Sequence, residues 1–264
     1  MPIQEKCRIQ DHQKVGPRHY KLTLVSEYLA KNAQPGQFVN VKCSPGLDPL
    51  LRRPISLHRI NRQHGLIELL YEVVGKGSEL LPKYSAGQEL DLLGSLGHGF
   101  KREPQKKIHI IVGGGMGSAP LLGLAEELKQ PGNDLYIILG ARSQELILEE
   151  PLMKALTDQV LIATEDGSRG KKGLVSEVLI NLIDNRLSLS DCPITAVYAC
   201  GPRPMLKAVA EIAGQKQLDC QLSLEERMAC AVGACKGCAT KVKDGYKMVC
   251  SDGPVFDAKE LIWN

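Results

Sequence analysis

Four cysteines near the C-terminus, Cys230, Cys235, Cys238 and Cys250, are spaced C-x4-C-x2-C-x11-C. Thiolates this close in sequence can hold one metal centre. Zinc sites usually bring two C-x2-C knuckles separated by a longer loop. A gap of four followed by a gap of two, with the last ligand arriving later, is the plant-type spacing of a [2Fe–2S] cluster. The intervening Ala231, Gly233, Ala234, Gly237 and Ala239 are small, so backbone amides can close on cluster sulfurs and help set the potential. A zinc staple or a set of buried apolar thiols is the competing reading, and it fits the spacing less well.

Three further stretches carry groups suited to binding anions. Arg53-Pro54-Ile55-Ser56 leads into an apolar run. A fixed arginine there can make paired hydrogen bonds to a phosphate, while Pro54 sets the backbone that presents Ser56. Gly75-Lys-Gly77-Ser78 precedes a run with helical periodicity, which predicts free amides at a helix start. The plainer alternative is a turn with Ser78 as its cap. Gly113-Gly-Gly115-Met-Gly117-Ser-Ala-Pro120 follows the apolar run Ile108–Val112 and precedes Leu121, Leu124, Ala125 and Leu128 on one helical face. Strand, glycine turn and helix in that order predict a dinucleotide-binding unit, with Pro120 in the first helical turn.

The elements that must position these groups fall into two patterns. Up to about Leu93 the chain reads as short strands cut by Pro35-Gly36, Pro45-Gly46 and the Asn61–Gly65 break, which predicts a small β-barrel. After Ile108 it alternates strand and helix. Arg142, Asp166 and the turn Cys200-Gly201-Pro202 all fall just beyond predicted strand ends, where open parallel sheets bind ligands. Arg142 can meet a ribose 2′-phosphate or lie solvated, and both readings stay open. Asp244-Gly245 marks a hairpin turn.

Composition places these parts in an ordinary globular protein. The 264 residues carry a net charge of +3 from scattered Lys and Arg, which gives no support to nucleic-acid or membrane binding. No apolar run is long enough to span a bilayer, and the N-terminal stretch lacks an apolar signal core. Nine cysteines in that context point to a reducing cytoplasmic setting. Cys7, Cys43, Cys192, Cys200 and Cys220 are expected mostly as small buried side chains. No Ser-His-Asp set or paired-carboxylate motif is present, so no catalytic acid–base residue is assigned.

The Arg53–Ser56 and Gly75–Ser78 segments, followed by the glycine turn and Cys200-Gly-Pro-Arg-Pro-Met-Leu206, together resemble the ferredoxin–NADP reductase superfamily. That resemblance implies a multidomain chain: an FAD-binding β-barrel over 1–101, an NAD-binding α/β parallel-sheet domain over 102–218, and a small [2Fe–2S] domain over 219–264. It implies FAD contacts from Arg53, Pro54, Ile55, Ser56, Leu70, Tyr71, Glu72, Gly77 and Ser78. It implies NAD contacts from Gly113, Gly115, Gly117, Cys200, Gly201 and Pro202. Ile55 stands where many members carry an aromatic residue. With Ser223-Leu-Glu-Glu-Arg-Met-Ala-Cys230 and the closing Cys250-Ser-Asp-Gly-Pro-Val-Phe256, the full length resembles the electron-transfer subunits of type B dihydroorotate dehydrogenases. An alanine, Ala231, replaces the glycine that commonly follows the first cysteine. The implied partner is an FMN-containing dihydroorotate dehydrogenase catalytic subunit, in a hetero-oligomer with two of each chain. The implied path runs from that FMN through [2Fe–2S] and FAD to NAD. Two alternatives are a free-standing NAD(P)H reductase for another acceptor and a zinc-bearing interaction module on a reductase scaffold.

Overall fold

The structure, a computed structural model, describes residues 2–102, 108–187 and 194–263. Cys192 and the charged stretch 103–107 lie outside the described residues. The chain divides into two compact units, one made of Met1–Gly99, Glu225–Thr240 and Tyr246–Pro254, the other of Phe100–Leu224, Lys241–Gly245 and Val255–Asn264.

The first unit contains a closed barrel of six strands: β1 (Ile3–Lys14), β2 (His19–Val25), β3 (Phe38–Val41), β4 (Arg53–Asn61), β5 (Leu66–Glu72) and β6 (Glu89–Leu96). They close in the order β1-β2-β5-β4-β3-β6. Alternation makes the barrel. Along β6 the buried Leu90 and Leu92 alternate with outward-facing Glu89 and Asp91, and along β1 Cys7 and Ile9 alternate with exposed Lys6 and Arg8. Successive side chains on a strand point to opposite faces, so this pattern fills the interior with Leu22, Leu24, Val39, Val41, Leu57, Ile67 and Leu69. A six-residue helix α1 (Glu27–Asn32) is capped by Ser26, whose Oγ accepts from Leu29 N at 3.1 Å.

The second unit is built on a sheet containing β7 (Ile108–Gly114), β8 (Asp134–Ala141), β9 (Val160–Thr164), the two-residue β10 (Lys171–Lys172), β11 (Ile194–Cys200) and β12 (Asp219–Ser223). The helices α2 (Leu121–Leu128), α3 (Glu150–Lys154), α4 (Val175–Leu182) and α5 (Arg203–Gln215) connect its strands. The sheet order is β10-β9-β8-β7-β11-β12, with β15 (Val255–Asp257) added antiparallel beside β12. Every residue of β7 is buried, as expected of a central parallel strand covered on both faces. The chain runs outward from β7 through β8 and β9, then returns to place β11 on the other side of β7. This reversal is the topological switch point, where open α/β sheets hold ligands. Between the cysteines, β13 (Ala239–Val242) and β14 (Gly245–Met248) form the hairpin that Asp244-Gly245 signals.

Candidate functional site

In the barrel unit, Arg53 opens β4 opposite Val41, and its guanidinium lies against Gly77. A β-carbon on Gly77 would stand 2.4 Å from Arg53 Nε and 2.6 Å from Cζ. Two segments 24 positions apart in sequence therefore meet at one corner, and only glycine lets them. Arg53 Nη1 donates to Leu51 O at 2.7 Å and to Arg52 O at 3.3 Å. Among the described residues no carboxylate pairs with Arg53. A cation beside a glycine turn, with no carboxylate of its own, suits a phosphate group.

The turn itself departs from the predicted helix start. Residues 76–80 form turns, followed by a single 3-10 turn at Leu81–Lys83. Pro82 disfavours helical backbone at Leu81, which cuts the periodic run short. The Ser78 hydroxyl turns back on its own loop, accepting from Val74 N at 2.9 Å and Gly75 N at 3.2 Å and donating to Gly75 O at 3.0 Å. It is the cap of a turn.

Strand alternation separates the other residues that the resemblance points to. Ile55 opposes Val39 and joins the barrel core, while Pro54 and Ser56 take the other face, opposite Asn40 and Phe38. Tyr71 also points into the barrel, where its hydroxyl meets His12 Nε2 at 2.9 Å and its ring stacks on Tyr20 at 5.8 Å. Burial, reinforced by Tyr20, raises the Tyr71 phenol well above its ordinary pKa. Leu70 is buried but outside the barrel core cluster, and Glu72 is half-exposed. The side chains of Ile55 and Tyr71 are therefore not gathered with those of Pro54, Ser56, Leu70 and Glu72.

In the sheet unit, the glycine turn after β7 and the Cys200-Gly201-Pro202 turn after β11 stand side by side at the switch point. A β-carbon on Gly117 would lie 2.4 Å from Cys200 O, and one on Gly113 would lie 3.0 Å from Ser118 Cα. Gly115 adopts φ +55° with open space beside it. Residues Gly115–Ser118 form a 3-10 turn, and α2 starts after Pro120. Sequence reading did not single out Gly114, where a β-carbon would meet Met205 Sδ at 2.4 Å. In a run of adjacent glycines, nothing in the sequence tells which ones must be small.

Arg142 is exposed beyond β8. Its backbone is laced to the tip of β9, with Glu165 N donating to Ala141 O at 3.1 Å and Asp166 N to Arg142 O at 3.2 Å. Asp166 Oδ1 accepts from Ser168 Oγ at 2.6 Å and Ser168 N at 2.9 Å, and these bonds hold its carboxyl below the usual carboxylate range.

The cysteine loop folds in the barrel unit. Two backbone bonds link the cysteines, Cys235 N to Cys230 Sγ and Cys250 N to Cys238 Sγ. Backbone amides surround them. Cys250 Sγ accepts from Gly233 N at 3.1 Å, Cys230 Sγ from Cys235 N at 3.3 Å and Val232 N at 3.4 Å. Cys235 Sγ accepts from Gly237 N and Cys238 Sγ from Cys250 N, each at 3.4 Å. The amides of Val232 and Cys235 bring the Cys230 thiol down to about 7, whereas burial pushes Cys250 up to about 12. Ala231 and Lys236 take positive φ of 60° and 56° to aim these amides inward. Among the described residues, no three His, Cys, Asp or Glu side chains converge as one metal ion requires. Four thiols that accept from backbone amides fit an iron–sulfur cluster.

A barrel with a phosphate-ready corner, a dinucleotide-type sheet and a cluster loop are the parts of an electron-transferring oxidoreductase of the ferredoxin-reductase type. Family comparison agrees. Residues 225–262 match the iron–sulfur cluster binding domain of dihydroorotate dehydrogenase B, and residues 111–211 match the oxidoreductase NAD-binding domain. The dihydroorotate dehydrogenase B (NAD(+)) electron transfer subunit of Geobacillus thermodenitrificans is 40% identical over 263 residues, covering 98% of each chain. That of Desulforamulus reducens is 38% identical over 254 residues, covering 94% of each. The chain belongs to this family of electron transfer subunits.

Among solved structures, an NADH-dependent reduced ferredoxin-NADP oxidoreductase studied for flavin-based electron bifurcation superposes with a TM-score of 0.84. It is 29% identical, covering 97% of this chain and 90% of that one. A ferredoxin NADP+ reductase from Neisseria gonorrhoeae, solved with FAD and NADP, shares the fold at 18% identity and a TM-score of 0.66. The match covers 80% of this chain and 91% of that one.

Proposed function

We propose that this chain is the NAD-linked electron-transfer component of a dihydroorotate-oxidising complex in pyrimidine biosynthesis. Its partner is an FMN-containing catalytic subunit, with two copies of each. The observation that carries the reading is the loop 225–262, which matches the family's iron–sulfur domain and surrounds its four cysteine sulfurs with backbone amides. In this reading residues 1–101 serve FAD, 102–218 serve NAD and 219–264 the cluster. No described helix is long and apolar enough to cross a membrane, and a cytoplasmic site of action fits a nucleotide-precursor pathway.

Cys230, Cys235, Cys238 and Cys250 hold the [2Fe–2S] cluster. The amides of Val232, Gly233, Cys235 and Gly237 stabilise charge on its sulfur ligands. Arg53 and the backbone of the Gly77-Ser78 turn would hold the FAD pyrophosphate. The Gly113–Gly117 turn and the Cys200–Pro202 turn would hold NAD. When bound, the cluster would supply one-electron transfer, and the flavin would supply exchange between two single electrons plus a proton and the hydride of the nicotinamide. What the protein contributes is position and exclusion of water, which agrees with the lack of an acid–base set.

The test mixes anaerobically purified protein with a type B FMN catalytic subunit and follows NAD reduction on adding dihydroorotate, with each chain alone as control. Activity confined to the mixture supports the proposal. NADH-to-dye activity without dihydroorotate coupling favours the second reading, a reductase serving another acceptor. The likeness to the NADH-dependent reduced ferredoxin-NADP oxidoreductase is what supports that reading.

A further inference from the structure

The two adjacent arginines at the start of β4 meet different partners. Arg52 Nη2 donates to Asp91 Oδ1 at 2.9 Å, and Nη1 donates to Asp91 O at 3.0 Å and to Asn40 O at 3.4 Å. Asp91 lies on β6 and Asn40 on β3, while Arg52 immediately precedes β4. The barrel order at this point is β4-β3-β6. One side chain therefore reaches across β3 and ties the start of β4 to a strand two places away. Gln4 Nε2 holds the same carboxylate from β1, at 3.1 Å and 3.0 Å from its two oxygens. The Arg52 and Asp91 side chains keep only 21% and 20% of their exposure, so the pair is shielded enough to hold a fixed geometry.

Arg53 is the next residue. Its guanidinium meets backbone carbonyls and Gly77, and no carboxylate among the described residues. One of its two carbonyl partners is Arg52 O itself. Asp91 fixes Arg52, the Arg52 backbone fixes where Arg53 begins, and the charge of Asp91 is already matched.

We propose that Asp91 and Arg52 form a positioning brace that holds Arg53 over Gly77 for the flavin's phosphate. Neither braced side chain touches the ligand in this assignment. The inference rests on the flavin reading above and names the residues that set its anchor. Without the brace the start of β4 keeps its pairing with β3 but loses its tie to β6. A shift of well under 1 Å is enough to spoil paired hydrogen bonds to a phosphate.

The test titrates full-length protein, stripped of flavin, with FAD, FMN and riboflavin, reading quenching of flavin fluorescence. Riboflavin has the ring system but no phosphate. Arg53→Ala should weaken FAD and FMN about tenfold or more and leave riboflavin nearly unchanged. Asp91→Asn should weaken FAD and FMN about fivefold, again sparing riboflavin. In the Arg53→Ala background, Asp91→Asn should add less than about twofold, because it acts through Arg53. Arg52→Lys, which keeps the charge but loses the fork, should repeat the Asp91→Asn pattern if that variant fails to fold.

Equal weakening of all three flavins by Asp91→Asn would mean a merely structural role and overturn the brace. So would an undiminished effect in the Arg53→Ala background, or no effect at all. If Arg53→Ala itself leaves FAD binding intact, the flavin assignment of this corner fails, and the brace fails with it.

Discussion

The backbone of Gly117 lies against that of Cys200, so closely that a β-carbon on the glycine would stand 2.4 Å from the Cys200 carbonyl oxygen and 2.5 Å from its carbon. The contact joins the turn after β7 to the turn after β11 across the switch point. Gly117→Ala must push the two turns apart, at a cost of about 1–3 kcal/mol. The expected result is a KM for NADH raised about tenfold or more, with the flavin spectrum unchanged. Stopped-flow NADH-to-dye kinetics checks it. An unaltered KM would mean that the two turns do not act together on the nicotinamide.

Ala231 is the second point. It is buried at 1% exposure and holds φ +60°, the left-handed region that alanine disfavours. The strain is about 1–2 kcal/mol. Ala231→Gly should relieve part of it, raising protein stability by roughly 0.5–1 kcal/mol and slowing cluster loss to a chelator. Bleaching of the visible absorption measures the second effect. Faster bleaching in the glycine variant would show that the Ala231 methyl supports the loop more than its backbone strains it.

Thiol titration gives a pH signature. Cys230 is drawn down to about 7 by the Val232 and Cys235 amides. A lowered thiol pKa means that the stabilisation is present above the ordinary thiol value of about 8.5 and is lost as pH falls through about 7. In iron-free protein, alkylation at Cys230 should rise through about pH 7 and then level off, while Cys250, pushed up to about 12, stays slow. Peptide mass spectrometry after timed iodoacetamide treatment reads both. A common midpoint near the ordinary thiol value would mean that the amide cradle forms only around the cluster.

A coenzyme preference is predicted from the tips of β8 and β9. Arg142 offers one positive charge, but its backbone is bonded to that of Asp166, and Glu165 lies alongside. Asp166 is held ionised by Ser168. A 2′-phosphate beside Glu165 and Asp166 is repelled by both carboxylates, so NADH should be preferred over NADPH. The double change Glu165→Gln with Asp166→Asn should narrow that preference about five- to tenfold. A ratio that the double change leaves unmoved would place the adenosine ribose elsewhere.

Much of this was written in the order of residues. The C-x4-C-x2-C-x11-C spacing, the alternation along β6, the unbroken apolar run of β7 and the glycine turn after it each report a local rule, because strand period, turn chemistry and ligand spacing act over a few neighbours. They gave the barrel, the parallel sheet and the cluster loop, and they placed Arg142, Asp166 and Cys200–Pro202 at one sheet edge.

Three things needed the tertiary structure. That Ile55 and Tyr71 turn into the barrel depends on which face each strand presents, and closure of the six strands decides that. That Ser78 caps a turn rather than a helix depends on Pro82 and on the loop's own amides. And the local pattern that marks Arg53 does not say what holds Arg52: Asp91, 39 positions away from Arg52, is carried to it by the order of strands around the barrel.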